Sequence, residues 1–297
     1  MSHIISTIIV NCNAGPLLRR CIDSLLACPL DIEIIVVDNA SSDGSLEGLP
    51  ESQIIRVICN PTNVGFSSAC NIGAHASSAP FLLFLNPDCF FYPGAIVALL
   101  TRLQSDDHVG MVGGLLLNED GSEQAGGRRA VPTPWRSFVR AFSLHRFSDR
   151  WPKLFYDFHL HKQPLPDEPV EVEAISGACI LVKRELLEDI GLWDEGYFLH
   201  CEDLDLCMRS RQKNWKILFV PDARINHIKG GCSQSRRIFA EWHKHKGMIR
   251  FYRKFFRRQY PSVLMWMVTI GVWLRFIAIA IKIYRQRMVA KLRLWHV

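Results

Sequence analysis

The segment FLHCEDLDLCMRSR (198–211) concentrates acid where an ordinary amphipathic helix needs little. Glu202, Asp203 and Asp205 fall within four residues, Glu195 lies just upstream, and the chain as a whole carries a formal net charge of +6. A carboxylate held at a helix start is suited to taking a proton from a hydroxyl. The helix macrodipole favours its ionised form there by ~0.3–1 kcal/mol. Positions two apart on a helix point to different sides. Asp203 and Asp205 therefore cannot both face one pocket, and Asp205 has Arg209, one turn further on, as an expected partner. The other reading of the segment is a charged, well-capped surface helix.

Further candidates follow apolar runs. FLLFLNPD (81–88) ends in Asn86 and Asp88, alternate residues that share one side of an extended segment. Hard oxygen donors there suit Mg2+ or Mn2+ and its phosphates, although N-P-D is also a turn sequence. VVDNASSDGS (36–45) offers Asp38 to a nucleobase N–H or to ribose hydroxyls, or else as a helix cap or Asx turn. NPTNVGFSSACNIG (60–73) sets Asn63 and Gly65 before a helix that contains Asn71. Glycine admits close backbone approach and a helix N-terminus suits phosphate; a turn plus cap is the alternative.

These clusters need a scaffold that brings them together. Strands are predicted at 6–12, 32–40, 54–60 and 81–88, and helices at 16–28, 67–77 and 93–106, with Pro16 in a first turn. The order β-α-β-β-α-β-α predicts a right-handed, doubly wound α/β sheet. Open sheets of this kind bind ligands at the carboxyl ends of their strands. Asn11, Asn13, Asp38, Asn39, Asn60, Asn86 and Asp88 all stand at such ends. Residues 118–170 are rich in Gly, Pro, Arg and aromatics and read as a long functional loop. Arg128 and Arg129 there either meet a diphosphate or acceptor from a lid or serve solubility. His159 and His161 have metal-like spacing but no clear third ligand, and read as a surface strand. A strand-like stretch spans 172–186, and a further strand and turn follow Trp215.

Composition narrows the classes. With 297 residues, 48% hydrophobic and 22% charged, the chain can build a large core. No G-x-G-x-x-G or G-x-x-x-x-G-K-[ST] follows the first strand, which disfavours a dehydrogenase and a P-loop NTPase. The ten cysteines form no C-x-x-C pair, and no basic start precedes the first apolar run. Reduced thiols in a cytosolic protein are expected.

The ordered set VVDNASSDGS, NVGFSSACNIG, FLLFLNPD, SGACILVKREL, GLWDEGYFLHCEDLDLCMRSR and VPDARINHIKGG resembles family 2 glycosyltransferases of GT-A fold, most closely the rhamnosyltransferase-like members. The likeness covers about residues 5 to 235. It implies a GT-A domain over 1–235, with 118–170 as an acceptor or lid region, and inverting transfer from a nucleotide diphosphate-sugar to a glycan or lipid-linked acceptor. It implies Asp203 as general base beside Glu202, and Asp88 with His227 at the metal. It also implies a nucleotide pocket lined by Asn11, Asn13, Asp38, Asn63, Gly65, Asn71 and Asn86. Asn86 stands in place of the family's first metal-motif carboxylate, and Cys12 where an aromatic is usual.

Basic charge gathers after about residue 236. An apolar run at 263–274 is broken by Arg275, resumes as FIAIAI and ends at Lys282. A spanning helix wants ~20 apolar residues, and a central arginine costs about 2.5–3.5 kcal/mol. Gly271, Arg275, Ala278 and Lys282 fall on one stripe. A basic amphipathic tail over 236–297 is therefore expected on the cytoplasmic face of a membrane, peripheral or with one marginal span. A core or dimer helix is the alternative. No nucleic-acid motif is present. Competing functions are an inactive nucleotide-sugar binding protein that anchors an assembly at the membrane, and a nucleotidyltransferase, which NCNAGPLLRR fits poorly.

Overall fold

The computed structural model describes residues 3–141, 144–148, 150–151, 154–155, 158, 160–228, 230 and 237–294. β1 (Ile5–Asn11), β2 (Ile32–Asp38), β3 (Ile55–Cys59) and β4 (Phe81–Leu85) run parallel in the order β3-β2-β1-β4. Beyond β4 the sheet becomes mixed. β10 (Cys179–Lys183) lies antiparallel between β4 and β6 (Val109–Leu117), β11 (Lys216–His227) runs parallel to β6, and β5 (Cys89–Phe91) closes the edge antiparallel to β11. β8 (Val170–Glu171) also pairs with β11.

The strands form where apolar residues run unbroken, because both faces of the sheet are covered. Ile5, Ile9, Ile34 and Val36 pack under α1 (Pro16–Leu26) and α3 (Ala95–Leu103). Their neighbours Ile8, Val10, Ile35 and Val37 face the opposite core with α2 (Phe66–His75), α5 (Arg184–Ile190) and α6 (Glu202–Gln212). This alternation is the period of two that a pleated strand imposes. α7 (Arg237–Phe256) and α8 (Ser262–Leu294) form a helical pair, and Phe251, Tyr252, Phe256, Met265 and Val272 belong to that second core. The tail is thus packed onto the sheet domain.

Three local expectations change. β4 stops at Leu85, so Asn86–Asp88 form a turn, closed by the Cys89 N–H donating to Asn86 O at 3.2 Å, and not an extended segment. Pro87 has no N–H to give to a ladder, which favours the turn. The stretch 172–186 divides into β9 (Ala174–Ile175), a turn, β10 and the start of α5. Within 118–170, β7 (Arg128–Arg129) pairs with β9, and α4 (Pro134–Ala141) is pinned by Arg136 on Glu173 and by a 2.7 Å bond between Ser137 and Tyr252. His161 sits in a short 3-10 turn, whereas His159, Lys229 and residues 231–236 lie outside the described residues.

Candidate active site

At the parallel end of the sheet, Asn11 and Asp38 are register partners on β1 and β2. The Asn11 amide donates to Asp38 Oδ1 at 2.7 Å, to Ser45 Oγ at 2.8 Å and to Ser41 Oγ at 3.1 Å. Asp38 Oδ2 accepts from the Ser41 N–H at 3.0 Å, three residues on, so the carboxylate also braces the turn that follows β2. Asn13 and Ala40 adopt left-handed φ of 56°, and Asn13 Oδ1 accepts from the Ser42 N–H. The Asn13 N–H also donates to Ser41 Oγ, so Asn13 is held in that conformation by bonds to the loop after β2. Asn63 caps the Gly65 N–H and donates weakly to Cys12 Sγ. Asn71 is fully engaged on α2: it donates to Trp193 O and Glu195 Oε1 and accepts from the Trp193 N–H. Its role in these contacts is to hold the 193–195 loop.

At the antiparallel end, Asp88 and His227 are both buried. His227 ends β11 opposite Cys89, and its Nε2 stands 3.3 Å from Asp88 Oδ1. Gln124 settles the imidazole. Its Oε1 accepts from Nδ1 at 2.6 Å and its amide donates to His227 O at 3.1 Å. With the proton on Nδ1, Nε2 is an acceptor facing Asp88 Oδ1, an oxygen without a hydrogen-bond partner. Two acceptors turned on each other suit a cation, and an outer residue that fixes the imidazole tautomer is what metal-ligating histidines use. Cys89 adjoins the pair, but burial pushes its thiol well up, and Asp88 adds to the shift. Its sulfur donates to Ala178 O.

The acid segment opens α6. His200 and Cys201 take left-handed φ of 69° and 71° in succession, an unfavourable conformation for two side-chain-bearing residues. Asp203 Oδ2 accepts from the Arg129 guanidinium and from the Gly177 N–H at 3.0 Å, and Oδ1 accepts from the Leu204 N–H at 2.7 Å. Burial works to lower the Arg129 pKa, and the charge of Asp203 overrides it. Arg128 turns away to Glu123, Gln163 O and Pro164 O. Glu202 departs from expectation. Burial, followed by the neighbouring charge of Asp203, pushes its carboxyl up to about 8, so desolvation outweighs the helix dipole. Glu202 Oε2 has no hydrogen-bond partner. Asp205 pairs with Arg209 at 2.6 Å as anticipated, and Lys254 from α7 adds a second ion pair at 2.6 Å.

Backbone bonds join these clusters into one rim. Asn39 donates to Gly65 O, the Phe66 N–H donates to Phe198 O, and Phe198 leads directly into His200–Asp203. A Cβ on Gly65 would meet Phe198 O at 2.9 Å, so glycine is what lets these two segments close. On the far side, Gly177 reaches Asp203, while its neighbour Ala178 accepts from the Asn86 N–H at 2.8 Å. A continuous chain of hydrogen bonds thus links the segments that carry Asp38, Asp88 and Asp203. Gln124 and Arg129 were not assigned these contacts from sequence. Their partners lie 103 and 74 residues away, and the only sequence signal was the polar, Gly-rich run NEDGSEQAGGRR.

Residues 6–191 match the model of glycosyl transferase family 2. The chain belongs to this family. It is similar to the N-acetylglucosaminyl-diphospho-decaprenol L-rhamnosyltransferase of Mycobacterium tuberculosis, at 29% identity over 242 residues, 77% of each chain. It also resembles the rhamnosyltransferase WbbL of Escherichia coli, at 24% over 55% of this chain and 58% of that one. Two solved structures share the fold. GalNAc-T7 with UDP, GalNAc and Mn2+ superposes with a TM-score of 0.59 at 20% identity over 85% of this chain, which spans about half (48%) of that protein. The Pyrobaculum calidifontis mannosyltransferase PcManGT with GDP-Man and Mn2+ gives 0.57 at 15%, over 92% of this chain and 70% of that one. The protein is therefore a glycosyltransferase of rhamnosyltransferase-like type on a GT-A fold, and the rim described above lies within or beside its family 2 region.

Proposed function

We propose that this glycosyltransferase inverts the anomeric centre while moving a hexose or deoxyhexose from a nucleotide diphosphate-sugar to a hydroxyl of a lipid-linked glycan. The observation that carries the reading is the Gly177–Ala178 segment, which ties the turn of Asp88 to the base candidate Asp203 across two residues. In an inverting transfer the acceptor oxygen bonds to the anomeric carbon as the diphosphate oxygen leaves from the opposite side. The leaving group and the base must then face each other across the sugar.

Asp203 takes the acceptor proton, a step worth ~10²–10⁴-fold. Arg129 and the Gly177 N–H hold its carboxylate in place. Burial and the charge of Asp203, which raise Glu202 to about 8, favour its protonated form beside that base. Asp88 and His227 would hold Mg2+ or Mn2+, with Gln124 fixing the imidazole. When bound, such an ion neutralises charge on the departing diphosphate. Asp38, braced by Asn11, receives the nucleoside, with Asn13, Asn63, Gly65 and Asn86 around it; Asn71 acts through the loop it holds. The lipid-linked substrate in the name of the mycobacterial relative and the apolar helix Ser262–Gln286 support action at a membrane, which we place at its cytoplasmic face. The intact acid pair speaks against an inactive binding protein.

Asp203→Asn tests the assignment. Transfer is expected to fall by ~10²–10⁴, while nucleoside diphosphate binding, read by calorimetry, persists. Unchanged transfer in this variant removes Asp203 from the mechanism.

A further inference from the structure

After Glu241 the chain contains thirteen Lys and Arg and no Asp or Glu. This segment, whose only charged side chains are basic, forms most of α7 and all of α8. One stripe of α8 is consumed by packing: Met265, Val272 and Ile283 are buried, Trp273 lies 4.9 Å from Trp242, and Phe276 lies 5.5 Å from both Trp242 and His245. The opposite stripe, Val263, Met267, Ile270, Leu274, Ile277 and Ile281, is apolar and more than half exposed throughout. Its steps alternate between four residues and three, so all of it faces one way. Arg275 and Lys282, seven residues apart and exposed, form a line on its flank.

Length and composition alone would let Ser262–Gln286 cross a bilayer. Its attachment argues otherwise. Along α8, from Met265 to Phe276, the partner is α7, and α7 is tied to the catalytic domain. Lys254 pairs with the fully buried Asp205 and with Asp194, Arg250 pairs with Asp194, and Tyr252 bonds Ser137. An upright α8 would carry Lys244, Lys246, Arg250, Arg253 and Lys254 into hydrocarbon or tear α7 from α6. It would also place Arg275 near the bilayer centre. A second copy of this chain is a poor occupant as well, because a pairing seam gains its partner choice from opposite charges at its edges. Here two copies would set basic flank against basic flank.

We propose that α8 lies in the plane of an anionic lipid surface, with the Val263–Ile281 stripe among the acyl chains and Arg275 and Lys282 at the phosphates, as a monotopic anchor and not a membrane span. This deepens the proposed function by giving that site a fixed height above the membrane. α7 connects the anchor to the acid pair directly. A Cβ on Gly247 would meet His200 O at 2.7 Å, and Cys201 Sγ reaches Lys244 O.

The test uses the full chain on sealed vesicles of phosphatidylethanolamine and phosphatidylglycerol. Ser262→Cys and Arg285→Cys mark the two ends of the apolar segment, and a membrane-impermeant maleimide is added outside. Peptide mass spectrometry reads each site apart from the native cysteines. Both ends are expected to be labelled. Protection of one end alone means a span and overturns the proposal. In parallel, the surface substitutions Met267→Glu, Leu274→Glu and Ile281→Glu together are expected to weaken vesicle partition by about tenfold or more, and so is replacing phosphatidylglycerol with phosphatidylcholine. Undiminished binding in the triple variant also overturns it, as does a solution dimer that the same substitutions dissolve without any vesicle binding. Donor-sugar hydrolysis by the triple variant in solution is expected to persist, since the stripe touches no site residue. Its absence in both the variant and the parent would sink the enzymatic reading and leave the lipid result standing.

Discussion

The two ends of the site rim are built on different principles. At the parallel end, Asn11, Asp38, Ser41 and Ser45 bond one another, and of these four side chains only Asn11 Oδ1 is left buried without a partner. At the transfer end, Asp88 Oδ1, Glu202 Oε2 and Arg129 Nε are buried without partners, and the backbone at His200–Cys201 is strained. A buried polar atom left unpaired costs ~1–3 kcal/mol. The parallel end, proposed to receive the nucleoside, is thus largely prebuilt, while the end proposed for transfer holds more unpaired buried groups in a strained backbone, an arrangement that a ligand can relieve.

The contrast can be broken in four ways. The largest effect is expected at the Arg129–Asp203 pair. Arg129→Met leaves a buried carboxylate without its counter-charge and should cost about 3 kcal/mol in denaturant unfolding. An unaltered midpoint would mean that the transfer end is not held together by this contact. Next comes Gln124→Leu. Freed from its tether, His227 should lose Mn2+ affinity by about 10–100-fold in calorimetry. Gln124→Glu, which keeps the acceptor, should retain it, and equal affinity in both variants would detach Gln124 from the ion. Third, Asn11→Leu strips Asp38 and two serines of a shared donor. If the parallel end is prebuilt, stability should fall by about 1–2 kcal/mol even without nucleotide, and a loss seen only with nucleotide bound would reverse that view.

The fourth way is a pH slope, at most about 1.4 kcal/mol per pH unit for a single proton. The folded-state pKa of Glu202 is raised from an ordinary 4.5 to about 8. Between those values the folded protein holds a proton that the unfolded chain has released, so stability declines as pH rises through that window and levels off above it. Glu202→Gln should flatten the decline and leave the variant the more stable protein above about pH 8 in thermal melts. Parallel curves for the two proteins would place Glu202 in water.

Legibility in the sequence followed the reach of each interaction. β1, β2 and β4 were readable because strands covered on both faces leave an unbroken apolar run. The Asp205–Arg209 pair was readable because one helical turn fixes it. Lys254 on Asp205 was not, since nothing local connects residues 49 apart. The same holds for Gln124 on His227. α4 was hidden by two prolines and an arginine that ordinarily mark a loop; Pro134 is tolerated in its first turn, and a partner on α7 secures it. The acid pair was found, but its environment was misjudged. Three carboxylates within four residues at a helix start suggested ionised groups, whereas Glu202 is buried against α2, where Cys70 feels its charge.

Gly177 works as a spacer gauge. A methyl group there would meet the Asp203 Cβ at 3.1 Å, and the next peptide along fixes the turn that carries Asp88. A bulkier residue here would press first on Asp203, so the separation of two carboxylate-bearing segments is written into the main chain at one glycine.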